Sequence, residues 1–426
     1  MAQTTSADMS ASRRLIPLVV TLFFVWGFAT VLVDTLIPKL KALFLLSYTE
    51  VMLTQFCFFL AYLVVSIPAG WLLARIGYLR GIVAGLLLMA IGCLMFAPAV
   101  LLGVYPGFLA ALFVMAGGIT ILQVAANPLV AILGQPETSS SRLVLAQAFN
   151  SLGTTIAPIL GSVLILSGGL SQAPNPATLS AQALEAYRRT EAYATQLPFL
   201  GIAALLAVLA VAFWWLRRRP IAPPPQAVTG GAHSFLIDHP RLALGAVSIF
   251  LYVGAEVSIG SLLINYLMQG STLALDAFSA GKLVSFYWGG AMVGRFIGSA
   301  VLMRVRAGTV LAVCAVAAAA LAAISSLSIG LAAAATILGV GLFNSIMFPT
   351  IFTLAIERLG EDTPRGSGIL CLAIVGGAIV PIVTGYVADH GDLAVALLVP
   401  AVCYLWIALY GAMARLGLID ARAPAA

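Results

Sequence analysis

The chain has 426 residues, of which 62% are hydrophobic and only 8% charged, and its mean hydropathy is +1.09. Soluble domains carry about 25% charged residues, so the composition excludes a soluble enzyme and describes a protein built into a bilayer. The net charge of +6 does not mark a nucleic-acid binder, because the basic residues stand singly or in short loops, as positive-inside topology arranges them.

Apolar runs of about 18–25 residues mark membrane spans. Twelve can be drawn, at about 15–37, 51–73, 81–100, 104–127, 145–168, 197–216, 243–268, 281–303, 309–329, 331–355, 367–388 and 393–414. Residues 1–12 are polar and read as a disordered N-terminus. The first span follows Arg13 and Arg14, is too long for a signal-peptide core and lacks a small-residue cleavage site, so it is retained. Residues 169–196 form the longest outward loop, within which 181–194 can make a short amphipathic helix. Residues 217–240, with three arginines, three prolines and a Gly-Gly pair, read as a solvated linker between two six-span halves, 13–216 and 241–416; 417–426 is a tail. No loop is long enough for a soluble domain, which excludes ATP hydrolysis as the energy source.

Orientation follows from the arginines. With both termini cytoplasmic, fifteen of the 21 basic residues lie inside, five lie outside (Lys39, Lys41, Arg188, Arg189 and Lys282), and Arg295 stays within a span. The five cysteines all fall in apolar segments without metal-ligand spacing, and His233, His239 and His390 lie in loops. A membrane-embedded enzyme would need a nucleophile or metal cluster, and none is visible.

The chain repeats itself. Gly118, Gln123 and Pro128 have the spacing of Gly339, Asn344 and Pro349, 221 residues later; Arg142, Gly153 and Pro158 match Arg365, Gly376 and Pro381 at 223; Asp34 and Glu256 are 222 apart. Copies of six spans keep the same membrane orientation, because six is even. That is the parallel repeat of the major facilitator fold, an all-α membrane architecture with its site between the halves near the midplane.

Polar groups inside spans need protein or water to face. The two in-span carboxylates are Asp34 and Glu256. Asp34 can neutralise Arg295 structurally, or either acid can bind Na⁺ or carry a proton; Glu256 can equally accept from a sugar hydroxyl. Uncharged amides recur beside them: Gln123 and Asn127 share one helix face, Gln147 and Asn150 share another, and Asn265 and Asn344 follow in the second half. Amides both donate and accept, which suits a ring of hydroxyls, although any one of them can instead bridge two helices. Phe23, Trp26, Tyr287 and Trp288 offer aromatic faces for the apolar side of a sugar.

Several stretches carry a resemblance. Residues 117–128 (GGITILQVAANP), 145–153 (LAQAFNSLG), 252–261 (YVGAEVSIGS), 287–296 (YWGGAMVGRF) and 348–355 (FPTIFTLA) resemble the fucose–galactose–glucose/proton symporter family of the major facilitator superfamily, and its bacterial glucose/galactose branch in particular. The segment 70–80, Gly-Trp-Leu-Leu-Ala-Arg-Ile-Gly-Tyr-Leu-Arg, resembles the superfamily's Gly-x-x-x-Asp-Arg-x-Gly-Arg signature, with Ala74 in place of its acid. The resemblance implies an inner-membrane sugar importer, without cofactors, coupled to H⁺ or Na⁺. In fucose-transporting members an aspartate matching Asp34 and a glutamate at the position of Gln123 serve proton coupling. Gln123 cannot ionise, and some glucose/galactose members depend on sodium. The expected substrate site is Gln123, Asn127, Gln147, Asn150, Glu256, Asn265, Tyr287, Trp288 and Asn344, with Asp34 and Glu256 as coupling residues and Asp34 as a candidate Na⁺ ligand. A monomer surrounded by lipid is the default for this fold. The alternatives are a fucose, amino-sugar or sucrose symporter of the same family, or a drug or metabolite exporter of the same fold.

Overall fold

The computed structural model describes residues 6–34, 48–101, 105–165, 180–217 and 232–419. In chain order the helices are α1 (Ser6–Asp34), α2 (Tyr48–Ile76), α3 (Tyr78–Leu101), α4 (Tyr105–Ile132), α5 (Ser139–Ile165) and α6 (Ala181–Leu216). The second half gives α7 (Pro240–Met268), α8 (Ala277–Leu302), α9 (Ala307–Leu327), α10 in two pieces (Gly330–Asn344 and Met347–Ile356), α11 (Thr363–Leu372 and Gly376–His390) and α12 (chiefly Leu398–Leu416). A short helix, Ala232–Asp238, precedes α7. Among the described residues nine stretches are long and apolar enough to cross a bilayer, and Leu15–Val31 of α1 is a shorter apolar helix. The remaining passages, α5 and α8, carry Arg142, Gln147 and Asn150, and Lys282 and Arg295, which lower their hydropathy.

Three boundaries differ from the sequence reading. The helix of α1 already begins at Ser6, inside the segment expected to be disordered. The expected short helix at 181–194 is continuous with the sixth span, since no Gly or Pro interrupts residues 181–197; Ser180 caps it, its hydroxyl accepting from the Ala183 N–H at 3.3 Å. The tenth span, expected to be unbroken, is interrupted at Ser345 and Ile346. Pro349 has no N–H to give the carbonyl four residues back, which frees Ser345 O, and Arg295 Nε donates to that oxygen at 3.1 Å. The one arginine deep in a span thus serves a carbonyl that a proline has orphaned. Pro128, its repeat partner, lies inside an unbroken α4.

The described residues group into two units, one of residues 13–126 and 149–224, the other of residues 127–148 and 225 onward with the start of α1. The end of α4, the start of α5 and their loop therefore belong with the C-terminal helices. Arg142 organises that loop. Its guanidinium donates to Val130 O and Ala131 O, carbonyls of the last turn of α4, and to Gln135 O and Thr138 Oγ1. Gly134, at φ +131°, packs against the guanidinium where a side chain would collide.

The same helix pairs recur in the two units. In the first, α3 packs along α6, and Gly153 of α5 lies against the backbone of Phe24 and Phe28 in α1. In the second, α9 packs along α12, and Gly376 of α11 lies against the backbone of Phe250 in α7. Helices approach this closely only where a Cβ is missing. Large apolar side chains such as Trp71, Val208, Trp215, Leu327 and Val402 stay exposed, as on a surface that faces lipid.

Candidate substrate-binding site

The C-terminal helices assemble one polar cluster. On α7, Tyr252 and Glu256 are one turn apart on one face, and the Tyr252 hydroxyl donates to Glu256 Oε1 at 2.8 Å. On α10, Asn344 Nδ2 donates to Tyr287 OH of α8 at 2.7 Å and to Tyr404 OH of α12 at 3.3 Å. Asn344 and all three tyrosines are fully buried. The Arg295 guanidinium of α8 acts electrostatically on both Glu256 and Tyr252, and the Tyr404 ring lies within range of Glu256. Protein encloses Glu256, yet the residue keeps accessible surface. Oε1 takes the Tyr252 bond, which leaves Oε2 as the oxygen that the phenol does not engage. Asn344 Oδ1 is buried without a partner, a state that costs about 1–3 kcal/mol unless a donor arrives.

Trp288, beside Tyr287 in the chain, meets that ring edge-on at 5.1 Å and remains 44% exposed. Asn265 does not join the cluster. It lies nine residues beyond Glu256 on α7, about 13 Å along the axis and half a turn around it, and it is exposed.

The end of α4 and the start of α5 bring Asn127 and Gln147 together: Gln147 Nε2 lies 3.5 Å from Asn127 Oδ1, a long contact, and the buried Asn127 Nδ2 has no partner. In the other unit, the buried Gln123 donates to the hydroxyl of Tyr62 on α2. Asn150 there acts between helices, its Nδ2 donating to Phe23 O of α1 at 2.9 Å. Phe23 and Trp26 pack on each other, ring centres 5.2 Å apart, and both are buried. They serve as core in this arrangement. The Asp34 side chain, and with it the expected Na⁺ site and any pairing of Asp34 with Arg295, lies outside the described residues. No group of three or more His, Cys, Asp or Glu occurs among the described residues.

Three residues escaped the sequence reading: Tyr62, Tyr252 and Tyr404. A signal for the first was present. Tyr62 and Tyr287 are 225 residues apart, close to the repeat offset, and each accepts from the repeat-related amide, Gln123 or Asn344. The duplicated feature is an amide–phenol pair.

Comparisons place this geometry in a family. The model of the Major Facilitator Superfamily matches residues 18–373. The chain is 52% identical over 390 residues to the glucose/galactose transporter of Brucella abortus biovar 1 (strain 9-941), covering 92% of this chain and 91% of the relative. It is 35% identical over 418 residues to the L-fucose-proton symporter of Escherichia coli K12, covering 95% and 94%. The crystal structure of the transporter FucP in the outward conformation superposes with a TM-score of 0.87 at 32% identity, over 95% of this chain and 99% of that one. Two in-span amide–phenol pairs, an accessible carboxylate and these whole-length matches agree: the chain is a multi-pass membrane transporter, not an enzyme, and it belongs to the fucose–galactose–glucose symporter family of the major facilitator superfamily.

Proposed function

We propose that this protein imports a neutral hexose, glucose or galactose, by alternating access, coupled to Na⁺ or H⁺. The observation that carries the reading is the cluster on α7, α8, α10 and α12. Its phenols and amide donate and accept without net charge, and one carboxylate, on a residue that keeps accessible surface, has an oxygen that Tyr252 does not engage. Hydroxyl-rich neutral ligands ask for that mixture, whereas an exporter of apolar compounds would want a more apolar lining. The name of the Brucella relative, at 52% identity, supports hexose over fucose, and so does Gln123. The chain sits as a monomer in the bacterial inner membrane, with both termini cytoplasmic, as the arginine bias supports.

Uptake of labelled glucose into proteoliposomes tests this, under an inward Na⁺ gradient and separately under an inward proton gradient. Concentrative uptake with one gradient alone names the ion. Exchange without accumulation under either means a facilitator, and no movement of glucose or galactose refutes the hexose reading in favour of fucose, amino sugars or sucrose. Asp34→Asn is expected to abolish accumulation and spare exchange.

A further inference from the structure

The hydroxyl of Tyr252 has one partner in the structure, Glu256 Oε1. Tyr252 is 1% exposed, and a buried phenol needs a partner for its O–H, so the bond serves both ends. Without it, Glu256 would have three free side-chain torsions in a low-dielectric setting, with the Arg295 cation of α8 attracting it. Holding such a chain still costs rotamer entropy, and the phenol supplies the restraint in advance. With Oε1 occupied, Oε2 is the oxygen left for another donor, on a residue that keeps accessible surface.

The repeat sharpens the point. The residue 222 before Tyr252 is Thr30, four before Asp34 as Tyr252 is four before Glu256. Thr30 spends its hydroxyl on its own helix, donating to Trp26 O at 2.9 Å. Position 30 therefore offers no phenol of the kind that Tyr252 presents to the acid one turn on.

We propose that Tyr252 is a positioning residue for sugar recognition: it pins Glu256 by one oxygen and so aims the other at a sugar hydroxyl. This rests on the hexose reading above. The test measures glucose half-saturation and maximal rate of equilibrium exchange, with the sugar-induced rise in Tm, for wild type, Tyr252→Phe, Glu256→Gln and the double variant. Tyr252→Phe is expected to raise half-saturation about tenfold, as losing a hydrogen bond to a charged group would, with maximal rate unchanged. Glu256→Gln should cost more, and adding Tyr252→Phe to it should change nothing further, because the phenol acts through the carboxylate. Should Tyr252→Phe fail to fold, Glu256→Asp withdraws the carboxylate from both the phenol and the sugar and should raise half-saturation at least tenfold; wild-type affinity there overturns the proposal. An unaltered half-saturation in Tyr252→Phe, a second full loss in the double variant, or a Glu256→Gln protein with wild-type affinity overturns the proposal while leaving hexose transport intact. A wild-type protein that neither exchanges nor is stabilised by glucose or galactose overturns the hexose reading and the proposal with it.

Discussion

Hydroxyls bridge the start of α5 to α8 and α10, and this seam should set how readily those helices part. Ser141 Oγ donates to Ser299 O at 2.7 Å, Ser299 Oγ donates back to Ser141 O at 3.0 Å, and Ser140 Oγ meets Thr353 Oγ1 at 2.6 Å, all buried. None of these groups is stranded if the seam opens. Thr353 already bonds Pro349 O on its own helix, and serines in helices can turn to the carbonyl one turn back. In Ser141→Ala/Ser299→Ala the two reciprocal bonds disappear with almost no change in volume. At about 0.5–1.5 kcal/mol net for each, the joined state loses about 1–3 kcal/mol, which is a factor of about 5–150 in the equilibrium. Val144 reports on it: it is buried, one turn beyond Ser140, and its Cγ1 faces Gly298. With Val144→Cys as probe, maleimide labelling should accelerate by that factor in the double-alanine background, relative to the same probe alone. Labelling that stays equal, in a protein whose native cysteines label at the same background rate, would refute the idea that these hydroxyls latch the seam.

Three further outcomes follow from single features. A Cβ at Gly376 would lie 2.6 Å from the Phe250 carbonyl carbon, whereas Gly385 has nothing within 4 Å. Gly376→Ala should therefore cost at least about 1–3 kcal/mol and lower Tm in detergent by several degrees, with Gly385→Ala close to wild type as its control. Pro349→Ala returns an N–H to compete with Arg295 for Ser345 O; the variant should be at least as stable as wild type but slower in glucose exchange, and unchanged exchange would show that the break in α10 has no part in transport. Gln123→Glu places an ionisable group against the Tyr62 hydroxyl and should change the pH profile of exchange relative to wild type, as measured from pH 5 to 8; superimposable profiles would show that position 123 does not titrate during transport.

What the sequence revealed and what it hid have physical causes. Spans, halves and repeat were legible because hydropathy and recurring glycines and prolines are one-dimensional patterns. Gly153 and Gly376, matched by spacing alone, make equivalent backbone contacts in their two units. Asn344 and Glu256 stood out because an amide or acid in hydrocarbon needs a reason. Tyrosine raises no such alarm. Its ring is at home in a core, so Tyr62, Tyr252 and Tyr404 looked like packing, and only geometry reveals that each hydroxyl meets a polar group of the site. Asn150 and Asn265 show the converse: the same amide chemistry is spent on a neighbouring helix in one and left on the far face of α7 in the other.

The repeat is informative where its copies disagree. Both halves keep an amide on the fourth helix donating to a tyrosine on the second, a neutral pair that donates and accepts alike. Around that shared core the copies have diverged. The second half breaks its proline helix and answers the freed carbonyl with Arg295, whereas the first keeps α4 whole. The second half clamps its acid with a phenol, whereas the first has Thr30 bonded to its own helix. A fixed carboxylate suits the reading of hydroxyls. The proposal that Glu256 reads the sugar while Asp34 couples the ion separates experimentally: Glu256→Gln should impair exchange and accumulation together, and Asp34→Asn accumulation alone.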